Sequence, residues 1–346
     1  MKVLIWGKDL SQVIRNKVIL KSFDELNIKH LWFQPKVAWL AYYEACLKKI
    51  DTDFNYIWVP TFRHRDLPQA LKFGKKHNIP VIFDPHISSY NKEVFEKKKI
   101  SPGSKQAKAL LKYESTLMNS SSRLIADTES HKDFYYQTLK LNSQIPTSVI
   151  PVSVDEDVFF TEAFESNNEA IVYFYGSGIP LQGIDTILDA LKIYQGPKIK
   201  FIFQSADKTL ESYKETFDSL KNDKVTLELL GWGNIEQVAS TIRKSTVVLG
   251  IFGDTPQASM VIPNKVFQPL ASGRVVLTRE SKAYEVIDSP EGIYFVAPND
   301  AKALAEKLKE ILDQSDLSSL QENARAIYEK HFSNEIVTQI LKDTLV

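Results

Sequence analysis

The chain has 346 residues, of which 43% are hydrophobic and 25% charged, and its 43 Lys+Arg balance its 43 Asp+Glu. This length is too great for one ordinary core and suits two domains, and the composition is typical of a globular protein. No apolar run approaches the roughly 18 residues that span a membrane, and the single cysteine, Cys46, excludes a disulfide framework, so we expect a cytoplasmic protein.

The neutral total hides an asymmetry between the two halves of the chain. Residues 1–160 carry 24 Lys+Arg against 17 Asp+Glu, a net charge of +7, whereas residues 161–346 carry 19 against 26, a net charge of −7. Such opposite charges either direct the first half towards an anionic partner or help two domains to close on each other.

Short apolar runs predict buried strands in two series. The first series begins at residues 3–6, which end at Gly7, and the second at residues 171–175, which end at Gly176, so the chain shows a loose duplication. Nearly continuous runs of this length are typical of strands that are covered on both faces in a parallel sheet. The other runs are residues 56–59, 81–83, 124–126, 148–150, 201–203, 225–227, 247–249, 275–277 and 293–295.

Amphipathic helices are predicted between these strands, for example where residues 184, 187, 188 and 191 follow the spacing of one helix face. The alternation of strand and helix predicts an α/β protein with two doubly wound, Rossmann-like domains. We expect these domains at residues 1–160 and 170–330, joined by the polar stretch 161–169. A last amphipathic helix is predicted within residues 331–346, after the candidate cap Ser333.

A glycine-rich junction follows the strand at residues 173–175. Gly176 and Gly178 allow a tight turn, and a helix is predicted to begin at Gly183-Ile184. Such a junction presents backbone N–H groups and the positive end of a helix dipole to an anion. The spacing is not that of the G-x-G-x-x-G fingerprint, so a phosphate site and an ordinary strand-to-helix turn both remain open, and a dinucleotide-dependent dehydrogenase is disfavoured.

A second junction lies at residues 247–278. A buried strand is followed by a polar loop, and a short helix is predicted to begin near Pro263, which places Asn264 and Lys265 in its first turn. The helix dipole disfavours a cation at that position, so the lysine suits a bound anion. With Asp254 and Gln268, these residues are expected at the carboxyl edge of the sheet, where open α/β folds bind ligands.

At these two junctions the sequence resembles the glycosyltransferases of family 4 (group 1). It is similar to a bacterial branch with an F-Y-G-x-x-I-P-L-x-G segment, here Phe174–Gly183, and a G-I-F-G-D-T…I-P-N-K-V segment, here Gly250–Val266. The resemblance spans most of residues 80–330, including Ala126-Asp127-Thr128 with His131. It implies the GT-B fold, in which two Rossmann-like domains face a central cleft, and a final helix that packs back on the first domain.

The resemblance also implies the roles of individual residues. The second domain would hold a nucleoside diphosphate sugar without a metal or other cofactor, and the first would hold a glycan or lipid-linked acceptor. His86, after the strand at 81–83, would lie beside the transferred sugar as the catalytic residue. The predicted donor site comprises Gly7, Gly176, Ser177, Gly231, Trp232, Gly253, Asp254, Asn264, Lys265, Gln268 and Glu285.

The chain departs from the family pattern at four positions. Two glutamates that the family usually carries are Met260 and Gln268 here, and a usual arginine and lysine of the diphosphate site are Ser177 and Gln182. Each missing cation would contribute about 1.5–3 kcal/mol as a charge-assisted hydrogen bond. Lys265 is the evident replacement. Retention of anomeric configuration is expected from the resemblance.

Several other residues have both a functional and a structural interpretation. His86 and His131 could act on protons or sugar hydroxyls, or be ordinary loop and helix residues. Glu285 could contact the donor or cap a short helix at residues 285–287. The triplet Asp51-Thr52-Asp53 matches a metal-binding D-x-D signature, but it precedes a strand instead of following one, so no metal is expected there.

Two features of the first half concern possible partners. Lys92–Lys112 contains seven lysines against two glutamates, which suits an anionic membrane or a lipid-linked diphosphate, or else a solvated loop. The aromatic residues at positions 32, 33, 39, 42 and 43 could line an acceptor site, and most of them are expected in the core. Nucleic-acid binding is not indicated by any recognised module.

These observations predict a bacterial glycosyltransferase of surface polysaccharide or glycoconjugate synthesis that is cytoplasmic, either free or peripheral at the inner face of the membrane. The missing glutamates keep open a catalytically inactive GT-B partner subunit of another transferase. A sugar-nucleotide epimerase is a further alternative.

Overall fold

Two parallel six-stranded sheets form the fold, and each belongs to one of the two units into which the chain divides. In this computed structural model the described residues are 1–163, 169–220, 222–314 and 316–345. The first unit comprises Met1–Ser153 and Asn334–Val346, and the second comprises Val154–Ser333. Positions 164–168 of the predicted linker lie outside the described residues.

The strand order is the same kind of doubly wound arrangement in each sheet. It is β2-β1-β3-β4-β5-β6 in the first unit and β12-β11-β10-β7-β8-β9 in the second. The strands are β1 Lys2–Trp6, β2 Lys29–Phe33, β3 Tyr56–Val59, β4 Val81–Phe83, β5 Arg123–Ala126, β6 Thr147–Val149, β7 Ala170–Gly176, β8 Ile199–Ser205, β9 Val225–Leu230, β10 Val247–Leu249, β11 Val275–Arg279 and β12 Ile293–Val296.

Helices connect these strands. They are α1 Ile14–Glu25, α2 Ala41–Leu47, α3 Leu67–His77, α4 Ser89–Asn91, α5 Lys105–Met118, α6 Glu129–Gln137, α7 Ile184–Ile193, α8 Asp207–Ser212, α9 Lys214–Ser219, α10 Ile235–Lys244, α11 Asn264–Ala271, α12 Ala301–Leu312, α13 Leu317–His331 and α14 Asn334–Leu345. Short 3₁₀ turns lie at Ala38–Leu40, Pro180–Gln182 and Lys282–Tyr284, and a π-helical turn at Lys92–Glu96.

The predicted α/β class is confirmed, and every predicted apolar run lies on a strand. The strand that the sequence did not predict is β2, Lys29–Phe33, which pairs with β1 at the edge of the first sheet. Its residues Lys29, His30 and Leu31 are exposed, and only Phe33 is buried. This strand, KHLWF, has no continuous apolar run because it begins with two polar residues that lie in solvent.

Side chains alternate between the two faces of the first sheet. Leu4 and Trp6 of β1 belong to one core cluster, together with side chains from helices α2, α3, α5 and α6. Val3 and Ile5 belong to the other, with helices α1 and α14. Helices α2, α3 and α5 therefore cover the same face of this sheet.

The aromatic residues at the start of the chain differ in their burial. Phe33 is buried, but Trp39 is 69% exposed and Tyr43 is 54% exposed, while Trp32 and Tyr42 are half-buried. Three of the five, Trp32, Phe33 and Tyr42, contact the core, and Trp39 and Tyr43 do not. The fully buried side chains of helix α2 are the small residues Ala41 and Ala45.

Two loops of the second unit cross at very short range. Gly183, at the start of helix α7, has a φ of +64°, and a Cβ atom there would lie 2.5 Å from the backbone nitrogen of Gly253. The Gly253 N–H donates to the carbonyl of Leu181 at 3.1 Å, and the Phe252 N–H donates to that of Gln182 at 3.2 Å. The loop after β10 is thus held against the turn that precedes α7.

We expect Gly183→Ala to destabilise the second unit by more than 2 kcal/mol, because it adds a backbone clash to the roughly 1–2 kcal/mol cost of a left-handed L-residue. Gly103→Ala is the matched control. Gly103 also has a positive φ, +75°, but its Cβ would meet nothing within 4 Å. Urea unfolding of both variants measures the difference, and equal losses would show that the crossing contributes nothing.

Candidate functional site

A cavity of about 460 Å³ opens in the second unit where strands β7 and β8 end. It lies at the carboxyl edge of the sheet, the position at which open α/β folds bind ligands. Six of the residues predicted for a donor site from the sequence line it. The complete lining consists of Tyr175, Gly176, Ser177, Gln182, Gln204, Trp232, Gly233, Asn234, Ile235, Val238, Asn264, Lys265 and Gln268.

The turn after β7 is held in place by a buried glutamine. The side-chain amide of Gln182 packs against Gly176, so that any Cβ atom at Gly176 would collide with it. Its side-chain oxygen accepts a hydrogen bond from the Gly178 N–H at 2.9 Å. The Ser205 hydroxyl donates to the Gly176 carbonyl at 2.5 Å, and the Thr209 hydroxyl donates to the Ser177 carbonyl at 3.2 Å. The carbonyls of the turn are therefore occupied, and Ser177 itself is exposed at the cavity.

Lys265 lies in the first turn of helix α11, and its side chain is buried, with 9% exposure. Its ammonium group faces the rings of Phe174 and Tyr175, with 5.7 Å and 5.2 Å from Nζ to the ring centroids. In the part of the chain that the structure describes, no carboxylate forms an ion pair with it. Burial lowers the pKa of Lys265 to about 8. A cation beside the positive end of a helix dipole is destabilised twice, by desolvation and by the dipole, and an anion in the cavity would offset both.

Hydrogen bonds between polar side chains hold the aromatic wall of the cavity. The Tyr175 hydroxyl donates to the side-chain oxygen of Gln268 at 2.5 Å, which links strand β7 to helix α11. Gln204 accepts a hydrogen bond from the Tyr173 hydroxyl, and its amide donates to the Gly231 carbonyl at 3.1 Å. The loop that carries Trp232 is thereby fixed to strand β8.

Trp232 projects from this loop with 67% of its surface exposed, and it lines the cavity. The next residues begin helix α10 with a capping box, in which the Asn234 side chain accepts from the Gln237 N–H at 2.8 Å and the Gln237 side chain accepts from the Asn234 N–H at 3.0 Å. The capping box uses the N–H groups of Asn234 and Gln237, whereas helix α11 has no side-chain cap and carries Lys265 in its first turn.

Four predicted donor-site residues of the second unit do not line the cavity. Gly231 contributes its carbonyl to Gln204, and Gly253 is packed against Pro180 and Leu181. Asp254 forms an ion pair with Arg279 at 3.2 Å, and Arg279 also donates to the Gly253 carbonyl at 2.8 Å. Glu285 is exposed.

The predicted helix at residues 285–287 is wrong. The helical turn lies earlier, at Lys282–Tyr284, where the Ser281 hydroxyl accepts from the Ala283 N–H at 3.1 Å and so caps it. Glu285 follows this turn instead of opening a helix.

Gly7 and His86 belong to the first unit. Gly7 has a φ of +139°, and a Cβ atom there would lie 3.1 Å from Nε of Arg63. His86 follows β4 with a φ of +60°, a conformation that is uncommon for a residue with a side chain. It packs edge to face on Phe62, itself at φ +65°, with 5.3 Å between ring centroids. Two residues in left-handed conformations therefore meet at the carboxyl edge of the first sheet.

The surroundings of His86 keep its imidazole neutral. Burial lowers its pKa to about 4, and Nδ1 is enclosed without a hydrogen-bond partner among the described residues. Nearby, Arg15 donates to Asp84 at 2.7 Å and to the Ile150 carbonyl at 2.9 Å, and Asp127 lies 2.6 Å from Nδ1 of His131. Since His131 and Asp127 are both buried in this pair, His131 is a structural residue of helix α6.

The D-x-D triplet lies at the opposite edge of the first sheet. Asp53 precedes β3 and forms an ion pair with Lys2 at 2.5 Å, at the amino end of β1. Among the described residues, no group of three or more His, Cys, Asp or Glu side chains is arranged to hold a metal ion. Within the same residues, no helix is both long and apolar enough to cross a membrane.

Sequence reasoning missed several cavity residues. Gln204 follows the apolar run 201–203 near the carboxyl end of strand β8, and a polar residue at that end of a strand is the signal that could have identified it. Asn234 could have been found from the Asn-x-x-Gln spacing of a capping box. The sequence predicts Tyr175 only as part of a strand, because nothing in it indicates that the tyrosine hydroxyl reaches Gln268.

Comparisons with known proteins place the fold. No protein-family model matches the sequence. The probable glycosyltransferase WbjE of Pseudomonas aeruginosa is 27% identical over 189 residues, 52% of this chain and 45% of WbjE. The chain therefore spans less than half the length of this curated relative.

Solved structures match over nearly the whole chain. HepE of Anabaena, crystallised with UDP and glucose, aligns with a TM-score of 0.70 at 15% identity and covers 100% of this chain and 99% of HepE. A glycosyltransferase from Rickettsia africae aligns with a TM-score of 0.67 at 13% identity, covering 99% and 97%. The chain has the α/β fold of the GT-B glycosyltransferases, as the sequence predicted.

The lowered pKa of Lys265 makes stability depend on pH. The unfolded chain binds more protons than the folded one between about pH 8 and the ordinary lysine pKa of about 10.4, so the free energy of unfolding rises with pH in this window. Below pH 8 the buried charge costs up to about 3 kcal/mol. We expect Lys265→Met to be more stable than the wild type at pH 7, and this advantage to shrink between pH 8 and 10. Urea unfolding at several pH values tests it, and an advantage that is constant with pH would contradict it.

The neutral imidazole of His86 gives a second prediction. An NMR titration of the histidine ring protons should show one signal with a midpoint near pH 4, and this signal should be absent from His86→Gln. If the signal that disappears in the variant has a midpoint near about 6.5, the ring is solvated and charged at mildly acidic pH, contrary to its burial in the structure.

Proposed function

We propose that this protein is a glycosyltransferase that moves a sugar from a nucleoside diphosphate sugar to a glycan or lipid-linked acceptor. The observation that carries the proposal is the cavity that is lined both by the buried, unpaired Lys265 and by the turn at Gly176-Ser177. The sequence similarity to WbjE and the fold shared with HepE support it. The bacterial origin of WbjE supports a place in the synthesis of a surface polysaccharide or glycoconjugate.

The donor diphosphate would lie between the exposed turn at Ser177 and the first turn of helix α11. Lys265, Asn264 and the free N–H groups of that helix would hold the phosphates, and as the bond to the sugar breaks they would stabilise the charge that develops on the leaving diphosphate. At the position where the resembled family usually has a lysine for the diphosphate, this chain has Gln182. Its side chain accepts a hydrogen bond from the Gly178 N–H and so supports the turn. Lys265 would therefore supply the main cationic contact.

The nucleoside would extend towards Trp232 and Gln268. Trp232 offers an exposed indole against which a base can pack, and the amide of Gln268, whose oxygen is taken by Tyr175, can donate to a ribose hydroxyl. Uridine is the base we propose, because HepE, which has this fold, was crystallised with UDP and with UDP-glucose.

The reaction would follow the pattern of family 4 transferases, including retention of anomeric configuration and no requirement for a metal ion. His86 would act as a neutral donor or acceptor of a hydrogen bond to the transferred sugar, since its pKa near 4 leaves it uncharged at pH 7. Lys92–Lys112 would contribute to contact with an anionic membrane or with the phosphate of a lipid-linked acceptor. Of these lysines, 105, 108 and 112 lie exposed on helix α5 and not on a loop.

A thermal-shift panel of UDP-, GDP-, ADP- and dTDP-sugars tests the donor site. We expect the UDP-sugars to raise the melting temperature by several degrees, because a ligand present at 100 times its Kd stabilises the folded state by about 2.7 kcal/mol. Lys265→Ala should abolish most of this shift. Lys302→Ala, which removes a lysine that is 78% exposed in the same unit, is the control and should retain it.

Turnover separates transfer from the other functions of this fold. Incubation of the shifted donor with and without a mixture of acceptors should release UDP faster when an acceptor is present, and His86→Ala should slow that release at least tenfold. Donor binding without any release of UDP would point to an inactive partner subunit. Conversion of the donor sugar without an acceptor would point to an epimerase, and either result would overturn the proposed reaction.

A further inference from the structure

A short segment of the first unit exposes its large apolar side chains and buries its small ones. The 3₁₀ turn Ala38–Leu40 and helix α2 carry Trp39, Tyr43 and Leu47 at a spacing of four residues, with exposures of 69%, 54% and 84%. Ala41 and Ala45 on the opposite side are completely buried. A helix that served only the core would have the reverse arrangement, so this stripe is a surface built for contact.

The same side of the sheet is rich in lysine. Helices α2, α3 and α5 cover one face of the first sheet, as their shared core cluster shows. On α3 and α5 the exposed lysines are 72, 75, 76, 105, 108 and 112, and Lys48 and Lys49 follow α2.

The three helices carry only two acidic residues, and both are occupied. Glu44 pairs with Lys48 at 2.7 Å and accepts from the Lys36 N–H at 2.8 Å. Glu114 is 3% exposed and accepts hydrogen bonds from the Ser88 hydroxyl and from the Ser89 and Tyr90 N–H groups. Helices α1 and α14, on the other face of the sheet, carry charges of both signs. The positive charge is therefore concentrated on α2, α3 and α5, whereas helix α6, which shares their core cluster, carries the exposed Glu129 and Asp133.

Cations and aromatic rings are in direct contact at the boundary of the stripe. Nζ of Lys72 lies 4.2 Å and 4.4 Å from the ring centroids of Tyr42 and Tyr43, and it donates to the Tyr43 hydroxyl at 3.2 Å. An aromatic ring with a polar tip beside a lysine suits the boundary between lipid headgroups and acyl chains.

We propose that the face formed by helices α2, α3 and α5 docks on an anionic lipid bilayer, with Trp39, Tyr43 and Leu47 inserted among the headgroups. The exposed lysines would bind the anionic lipids around this stripe. A protein partner would have to supply a complementary acidic surface as well as an apolar pocket, whereas an anionic bilayer supplies both at once. The inference deepens the membrane contact proposed above for Lys92–Lys112 and rests on that part of the proposed function, but its test requires neither a nucleotide sugar nor turnover.

Vesicle sedimentation tests this face directly. Wild-type protein should sediment with vesicles of phosphatidylcholine containing phosphatidylglycerol, not with pure phosphatidylcholine, and binding should fall as salt is raised. The Trp39→Ser/Leu47→Ser variant should bind about tenfold more weakly. Ile193→Ser/Val286→Ser removes apolar residues of the second unit that are 49% and 51% exposed, and as the control it should bind like the wild type.

The charges are tested in the same way. Lys105→Gln/Lys108→Gln/Lys112→Gln should weaken binding about tenfold or more, and Lys198→Gln/Lys208→Gln/Lys214→Gln, which removes three exposed lysines of the second unit, should not. The exposed Cys46 is the single cysteine, so a polarity-sensitive fluorophore attached there reports whether helix α2 enters the bilayer. Its emission should shift to shorter wavelengths with anionic vesicles only.

Three results would overturn the proposal. They are absence of sedimentation with anionic vesicles, equal binding by the Trp39→Ser/Leu47→Ser variant and its control, and a wild-type dimer that this variant dissociates without any binding to vesicles. The last would assign the face to a second copy of the chain. Retention of the UDP-sugar thermal shift in every variant shows that the second unit is folded, and circular dichroism melting checks the first, so loss of binding is separable from misfolding and from failure of the donor site.

Discussion

The ammonium group of Lys265 is buried beside the amino terminus of helix α11, and the organisation of the candidate site depends on how that charge is compensated. Desolvation lowers its pKa to about 8, and the helix dipole adds to the unfavourable field. No described carboxylate pairs with it, and the rings of Phe174 and Tyr175 offer only weak compensation at more than 5 Å. A residue kept at such a cost to stability is better explained by an anionic ligand than by the fold, because a leucine would pack there without a charge.

The geometry around this lysine is produced by close backbone packing in the second unit. Gly183 and Gly253 allow the turn after β7 and the loop after β10 to cross at a distance that no Cβ would permit. Gln182 then fills the space under Gly176 and holds the Gly178 N–H. The glutamine stiffens the turn, and among the described residues that line the cavity Lys265 is the one charged side chain.

Much of the fold could be predicted because parallel sheets leave a strong signal. Strands that are covered on both faces appear as apolar runs, and the edge strand β2 was missed because it lacks one. In the site, Lys265 and Asn264 could be predicted because Pro263 fixes where their helix begins. Tyr175 and Gln268 could be placed on their elements but not paired, since their contact joins residues 93 positions apart. Asp254 lies in the loop after β10, and its ion-pair partner Arg279 ends strand β11, 25 positions later. The sequence does not show this pairing, so it could not exclude Asp254 from the site.

The first unit shows why periodicity alone misplaces an interaction surface. Spacing identifies which residues share a side of a helix, but it does not say which side faces the sheet, and the larger apolar side is normally assigned inward. In helix α2 the fully buried side chains are Ala41 and Ala45, and beside them Phe33 and Phe73 pack on Trp6 of β1. Trp39 and Leu47 are therefore exposed to solvent, on the same face of the sheet as helices α3 and α5, whose exposed charged residues are all lysines. The lysines of residues 92–112 suggest an anionic membrane in the sequence, but the aromatic residues do not, and the fold puts both on one face of the sheet.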